Sequence, residues 1–148
     1  MVKIRRGYLE DLEPIARLFD GYRVFYKQQS DPEAARHFIK DRLERNESVI
    51  FVAEMDNEIM GFTQLFPLFS SVGMKRTWLL NDLFVDEKAR NHGLASKLLN
   101  AAKEYGVATS SRWLQLQTSA DNYTAQSVYE KNGWKRITDY FYEMPISG

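Results

Sequence analysis

The 148-residue chain predicts an α/β (α+β) fold, a mixed central sheet flanked by helices, in a single domain over residues 1–148. Three observations carry that prediction. Stretches with two-residue apolar alternation are interleaved with stretches of helical period, in the order β-α-α-β-β-β-α-β-α-β-β. No linker, low-complexity run or internal repeat separates them. The length suits one ordinary domain, since a chain of this size buries about two-thirds of its unfolded surface on folding.

Each element has its own local reason. "VKIRR" alternates as a short strand ahead of Gly7. From about Asp11 to Tyr26, Ile15, Leu18, Phe19, Tyr22, Phe25 and Tyr26 fall on one helical face, with Gly21 a point where that helix could bend or break. In "SDPEAARHFIKDRLER" Asp31 suits the cap, Pro32 the first helical position and Glu33 the positive helix end. The stripe to be buried there is Ala35, Phe38, Ile39 and Leu43. "SVIFVAEM" and "EIMGFTQLF" flank Asp56 and Asn57, which predicts a tight antiparallel hairpin. "FPLFSSVG" reads as a loop or hairpin tip, and "RTWLLNDLFV" as a long strand. A helix from about Gly93 to Tyr105 repeats its apolar residues at Leu94, Leu98, Ala102 and Tyr105. "RWLQLQT" alternates as a strand, "NYTAQSVYEKNG" is a short helix stopped by Asn132 and Gly133, and "WKRI" and "DYFYEM" are closing strands.

Composition limits the chemistry. Cysteine is absent, which removes disulfides, thiolate zinc sites and cysteine nucleophiles. Twenty basic and twenty acidic residues cancel, so no basic footprint for nucleic acid or an anionic membrane exists. The first residues lack the apolar core of a secretory signal, and no window approaches ~18 consecutive apolar residues. A cytoplasmic protein without membrane or nucleic-acid partners is the expectation.

"DLFVDEKARNHGLASKLL", residues 82–99, is the most informative stretch. A strand gives way to Arg90 and Gly93 and then to a helix. The first amides of a helix lack internal partners and carry roughly half a positive charge, so this turn suits a phosphate. Gly93 lets a bulky anion approach backbone, Ala95 keeps that approach open, and Arg90 offers a charge-assisted bond. The spacing is too short for a P-loop and has too few glycines for a dinucleotide fingerprint. An ordinary solvated helix start explains the same residues equally well.

"RNHGLA" resembles the Arg/Gln-x-x-Gly-x-Gly/Ala signature of the GNAT superfamily, the GCN5-related N-acetyltransferases. "NYTAQSVYEKNGW" is similar to that family's later Asn-x-x-Ala-x-x-x-Tyr-x-x-x-Gly-Phe/Trp segment. The resemblance spans nearly the whole chain, with Ala95 in place of a second glycine and Trp134 in place of the commoner phenylalanine. It implies a GNAT-like fold and acetyl-CoA as co-substrate, with no metal. The implied reaction is acetyl transfer to a primary amine by direct attack through a tetrahedral intermediate. It further implies that the backbone of Arg90, Asn91, His92, Gly93, Leu94 and Ala95 cradles the pyrophosphate. Leu83, Phe84 and Val85 would pair with the pantetheine arm, and Asn122 would contact it from the later helix.

Two residues are candidates for proton chemistry. Tyr129 lies four residues after Ala125, so helical packing alone accounts for it; the resemblance implies instead that its phenol protonates the departing thiolate. Asp82 is the leading candidate to deprotonate the amine, beside the structural reading of a carboxylate paired within an apolar strand. His37 and His92 fall at solvated positions.

"MGFTQLFPLFSSVGMKRTWLLNDLFV" is similar to the branch holding diamine, polyamine and histone-type amine acetyltransferases, which carries an acidic pair where this chain has Asn81 and Asp82. Tyr22, Arg23, Tyr26, Asn81 and the 66–73 loop would line the acceptor mouth, with a small amine, polyamine or amino-acid derivative as the expected acceptor. A protein lysine or N-terminus, and a non-catalytic acyl-CoA-binding module, are the alternatives. A homodimer is also expected, with the "DYFYEM" edge as its surface.

Overall fold

A computed structural model describes residues 1–148, which form two compact units, Met1–Gln117 and Thr118–Gly148. The first is built on five strands in the order β1-β2-β3-β4-β5. These are β1 (Val2–Gly7), β2 (Val49–Met55), β3 (Glu58–Ser70), β4 (Lys75–Val85) and β5 (Leu114–Leu116). Successive strands are antiparallel except that β5 runs parallel to β4, so the sheet is mixed, as the sequence predicts.

Helices cover both faces because β2 and β3 are apolar on both. Ile50, Val52 and Phe62 pack with Leu12, Ile15, Leu18 and Phe19 of α1 (Leu12–Phe25) and with Ala35 and Ile39 of α2 (Pro32–Glu44). Phe51, Ala53 and Met60 point the other way, toward Leu94 and Leu98 of α3 (Leu94–Ala108). That is the two-residue period of a strand buried twice. Asp56 and Asn57 form the predicted two-residue turn, both at positive φ, 53° and 68°. Asp31 caps α2 by accepting from the Ala34 amide, with Pro32 at the first turn.

Several expectations are corrected. α1 runs through Gly21, which faces the Phe84 ring and does not break the helix. Phe25 and Tyr26 share the apolar spacing of α1 but are 58% and 52% exposed, and Phe38 lies outside the α2 core with the Arg42 guanidinium 4.4 Å above its ring. Helical spacing identifies a face, not how far along it the core extends. "FPLFS" is strand, because β3 continues to Ser70 opposite Lys75. β5 is shorter than "RWLQLQT" suggests, because its ladder to β4 covers only 78–80.

In the second unit, Asn122 caps α4 (Tyr123–Lys131), and Asn132 and Gly133, the latter at φ 91°, end it. The closing strands expected at "WKRI" and "DYFYEM" are absent, and residues 135–148 form no hydrogen bond. Alternation gives a segment the capacity to pair, but a strand exists only beside a neighbour.

Candidate active site

Asp86 ends β4 by capping a short helical turn, Glu87–Ala89, and Asn91 and Gly93 then take left-handed φ of 69° and 73°. The first bond of α3 runs from the Lys97 amide to the Gly93 carbonyl. The five amides of Asn91, His92, Gly93, Leu94 and Ala95 therefore donate to nothing in the chain. No acidic side chain sits in the first turn of α3 to neutralise them. A Cβ built on Gly93 finds open space within 4 Å. An unpaired row of N–H groups with a free approach fits an anionic phosphate.

Arg90, exposed at the start of this turn, is held to β4. Its Nε donates to the Val85 carbonyl at 3.2 Å, and its guanidinium lies 5.8 Å from the Phe25 ring centroid and 5.7 Å from that of Phe84. In this position the side chain fastens the turn to the end of β4.

β4 supplies the adjoining edge. Gln64 of β3 faces Asp82 and Leu65 faces Leu80, so Asn81 is an extra, bulged residue. Since β5 pairs with β4 only at 78–80, the β5-facing edge of Asn81, Asp82, Leu83, Phe84 and Val85 is unpaired. The bulge ends one ladder and re-aims the backbone that follows, leaving main-chain groups for an extended ligand.

Asp82 lies at the bulge, 4% exposed, in a polar cluster the sequence reading missed. Gln64 Nε2 donates to Asp82 Oδ2 at 2.5 Å, Ser48 Oγ donates to Gln64 Oε1 at 2.8 Å, and Asn81 Nδ2 reaches Asp82 Oδ1 at 3.2 Å. The Tyr22 hydroxyl bridges outward, 3.2 Å from the Asn81 carbonyl and hydrogen-bonded to the Asp82 carboxyl. Burial raises the Asp82 pKa above the ordinary carboxylate value, and the bonds from Gln64, Tyr22 and Asn81 oppose that rise without cancelling it. The signal for Gln64 was an amide set between Thr63 and Leu65 in a mostly apolar strand, and once buried it needs a polar partner.

That shift has a sign. With the folded pKa above the unfolded one, the folded state holds more protons between the two values, so stability falls as pH rises through that window. Asp82→Asn removes the titration. Its stability relative to the unsubstituted protein is expected to improve as pH rises from about 4 and to level off once pH passes the raised folded-state pKa of Asp82, read as the difference in urea midpoint across a pH series. A difference that stays flat would show that Asp82 ionises in the fold as it does in the unfolded chain.

Tyr22 stands at the mouth of this cluster, with ring centroids 5.1 Å from Tyr26 and 6.1 Å from Phe84. Tyr22, Asn81, Asp82, the free β4 edge and the amide turn therefore belong to one unit. The 66–73 segment contributes strand to Ser70 and then turn. In the second unit, Asn122 Oδ1 is committed to the Ala125 amide at 3.2 Å, and Tyr129, partly buried on α4, has its ring 6.4 Å from Trp134. His37 and His92 are exposed.

The acetyltransferase (GNAT) family model matches residues 12–134, a span that takes in α1, the bulged β4, the amide turn and α4. This places the fold among the acyltransferases. The chain belongs to the GNAT family and is an N-acetyltransferase. It is 48% identical over 139 residues to the uncharacterized N-acetyltransferase YhfO of Bacillus subtilis (strain 168), covering 94% of this chain and 93% of that one. A solved probable acetyltransferase, 43% identical, superposes with a TM-score of 0.94 over 99% of both chains. An aminoglycoside N-acetyltransferase solved in complex with CoA shares the fold, with a TM-score of 0.82 over 98% of this chain and 95% of its own at 20% identity.

Proposed function

We propose that residues 1–148 act as one domain that moves the acetyl group of acetyl-CoA directly to a primary amine on a small molecule. The observation that carries this reading is the row of five unpaired amides from Asn91 to Ala95. Those amides, with the turn begun at Arg90, would hold the pyrophosphate, while backbone groups of Leu83, Phe84 and Val85 and the free amide group of Asn122 would hold the pantetheine arm. When bound, acetyl-CoA supplies the activated acetyl thioester. No metal has a part in it.

In this reading the chain's own residues move two protons. An ammonium has no free electron pair, so the acceptor must first be deprotonated. Asp82 takes that proton, with the Tyr22 hydroxyl as the bridge from the exposed side of Asn81. Its burial-raised pKa makes it a better base than an exposed aspartate. The Tyr129 phenol donates its proton to the leaving sulfur.

The mouth favours one acceptor class. Tyr22, Phe25 and Tyr26 offer aromatic faces, and the residue next to Asp82 is the neutral Asn81, so an extended polycation finds one carboxylate, and that one is buried. A compact amine with an apolar body, such as an amino-acid derivative, fits better than a polyamine. A cytoplasmic location is part of this reading, since a chain without cysteine does not call for an oxidising compartment, and zero net charge argues against nucleic-acid or membrane partners. The reading includes a homodimer, for which the exposed C-terminal segment is the observation.

Thiol release from acetyl-CoA tests it cleanly, because a chain without cysteine adds no background. Across a panel of monoamines, amino-acid derivatives, spermidine and peptides, kcat/KM is expected to be at least about 10-fold higher for compact apolar amines than for spermidine, a difference of roughly 1.4 kcal/mol. The reverse order would overturn the acceptor class, peptides alone would make this a protein acetyltransferase, and tight CoA binding without turnover would make it a binding module.

A further inference from the structure

Three buried polar side chains form a line inside the first compact unit. Ser48, Gln64 and Asp82 are 6%, 0% and 4% exposed, and each hydrogen bond between them runs in one direction. The Ser48 hydroxyl donates to Gln64 Oε1, and Gln64 Nε2 donates to Asp82 Oδ2. The main chain at the β4 bulge does not depend on this line, because Thr63 Oγ1 donates to the Asp82 carbonyl at 2.8 Å and ties the backbone to β3. The Gln64 amide therefore acts on the Asp82 carboxyl and not on the strand.

The groups that reach that carboxyl are uncharged donors: Gln64 from β3, Tyr22 from α1 and Asn81 from its own strand. No arginine, lysine or histidine pairs with it. A cation in their place would hold the carboxylate ionised and take away its affinity for a proton, whereas neutral donors set its direction and leave burial to keep that affinity high. An amide has a donor end and an acceptor end of nearly the same shape, so a glutamine alone does not decide which end meets Asp82. Ser48 decides it. By donating to Oε1 it turns the N–H end toward Oδ2, and Oδ1, on the Asn81 side, is left to receive a proton.

We propose that Gln64, oriented by Ser48, is a positioning residue of the acetyl transfer, fixing the Asp82 carboxyl so that Oδ1 takes the proton of the acceptor ammonium. The N–H bond of the ammonium breaks, its electron pair stays on nitrogen for attack on the thioester, and an O–H bond forms at Oδ1. Gln64 itself exchanges no proton. This inference rests on the reading of Asp82 as the base.

Gln64→Met keeps an unbranched side chain of similar length and removes the amide donor. Losing a hydrogen bond to the ionised form raises the proton affinity of Asp82, so the acid limb of kcat/KM is expected to move up by about 1–2 pH units, the equivalent of one bond to a charged group. A single amine is used throughout, so its own titration cancels between variants. Above the limb kcat is expected to stay about 10-fold low, because the carboxylate is charged but no longer held. Ser48→Ala should move the limb the same way by less, and Ser48→Thr, which retains the hydroxyl, should restore it. Should Gln64→Met fail to fold, the two Ser48 variants carry the test with the same signs. In parallel, carboxyl-carbon NMR of the free protein, assigned with Asp82→Asn, should show the Asp82 titration shifting with the rate profile. A carboxyl titration that stays in place, or full recovery of kcat above the limb, would overturn the positioning role and leave Asp82 as the base. A shifted carboxyl titration with an unmoved rate profile would overturn the base itself, and this inference with it.

Discussion

Tyr129→Phe is expected to lower kcat by about 10²–10⁴-fold, the usual contribution of a positioned proton donor, with the acetyl-CoA Kd changed by less than about 2-fold. The substitution removes one oxygen from a partly buried ring that packs 6.4 Å from Trp134, and it keeps the ring. Packing is conserved, so a purely structural tyrosine would show a stability change and little change in turnover. Single-turnover kinetics with a good amine separate the two roles, because the lost donor acts on the chemical step and not on binding. The leaving group adds a further check. A thioester with a more acidic thiol needs less protonation as it departs, so the defect should shrink with such a donor; an undiminished defect would remove Tyr129 from the proton path.

The elements read most directly from sequence were those with local causes. Asp56-Asn57 specifies its own left-handed turn, and Asp31-Pro32 specifies the start of α2 whatever lies nearby. The turn at 90–95 was legible for the same reason, since Gly93 marks a positive φ and the amides after it are unpaired by the geometry of any helix start. What stayed hidden depends on partners distant in sequence. Ser48 and Gln64 meet Asp82 only because the β3–β4 register, with its extra residue at Asn81, brings them together. The exposure of Phe25 and Tyr26 depends on where α1 outruns the core, which no periodicity reports. The closing segment is the extreme case: the alternation of "DYFYEM" was visible, but a strand exists only beside a neighbour, and none is assigned there.

Gly93→Val should raise the acetyl-CoA Kd by about 10–100-fold, the loss of one charge-assisted bond from the amide row. Two effects combine at this position. At φ 73° a β-branched residue is strained by about 1–2 kcal/mol, so the turn either distorts or loses stability. Its Cβ and methyl groups also project into the open space that the anion would fill. Gly133→Val separates the two. Gly133 has φ 91° and likewise nothing within 4 Å of a built Cβ, but it follows the end of α4, where no row of unpaired amides begins. Both variants should therefore melt at lower temperature, whereas only Gly93→Val should weaken CoA binding in calorimetry. The effect should also carry over to 3′,5′-ADP poorly and to intact CoA fully, because the row is assigned to the pyrophosphate. Equal losses of affinity in both variants would mean that strain alone was measured, and the phosphate would then have to lie elsewhere.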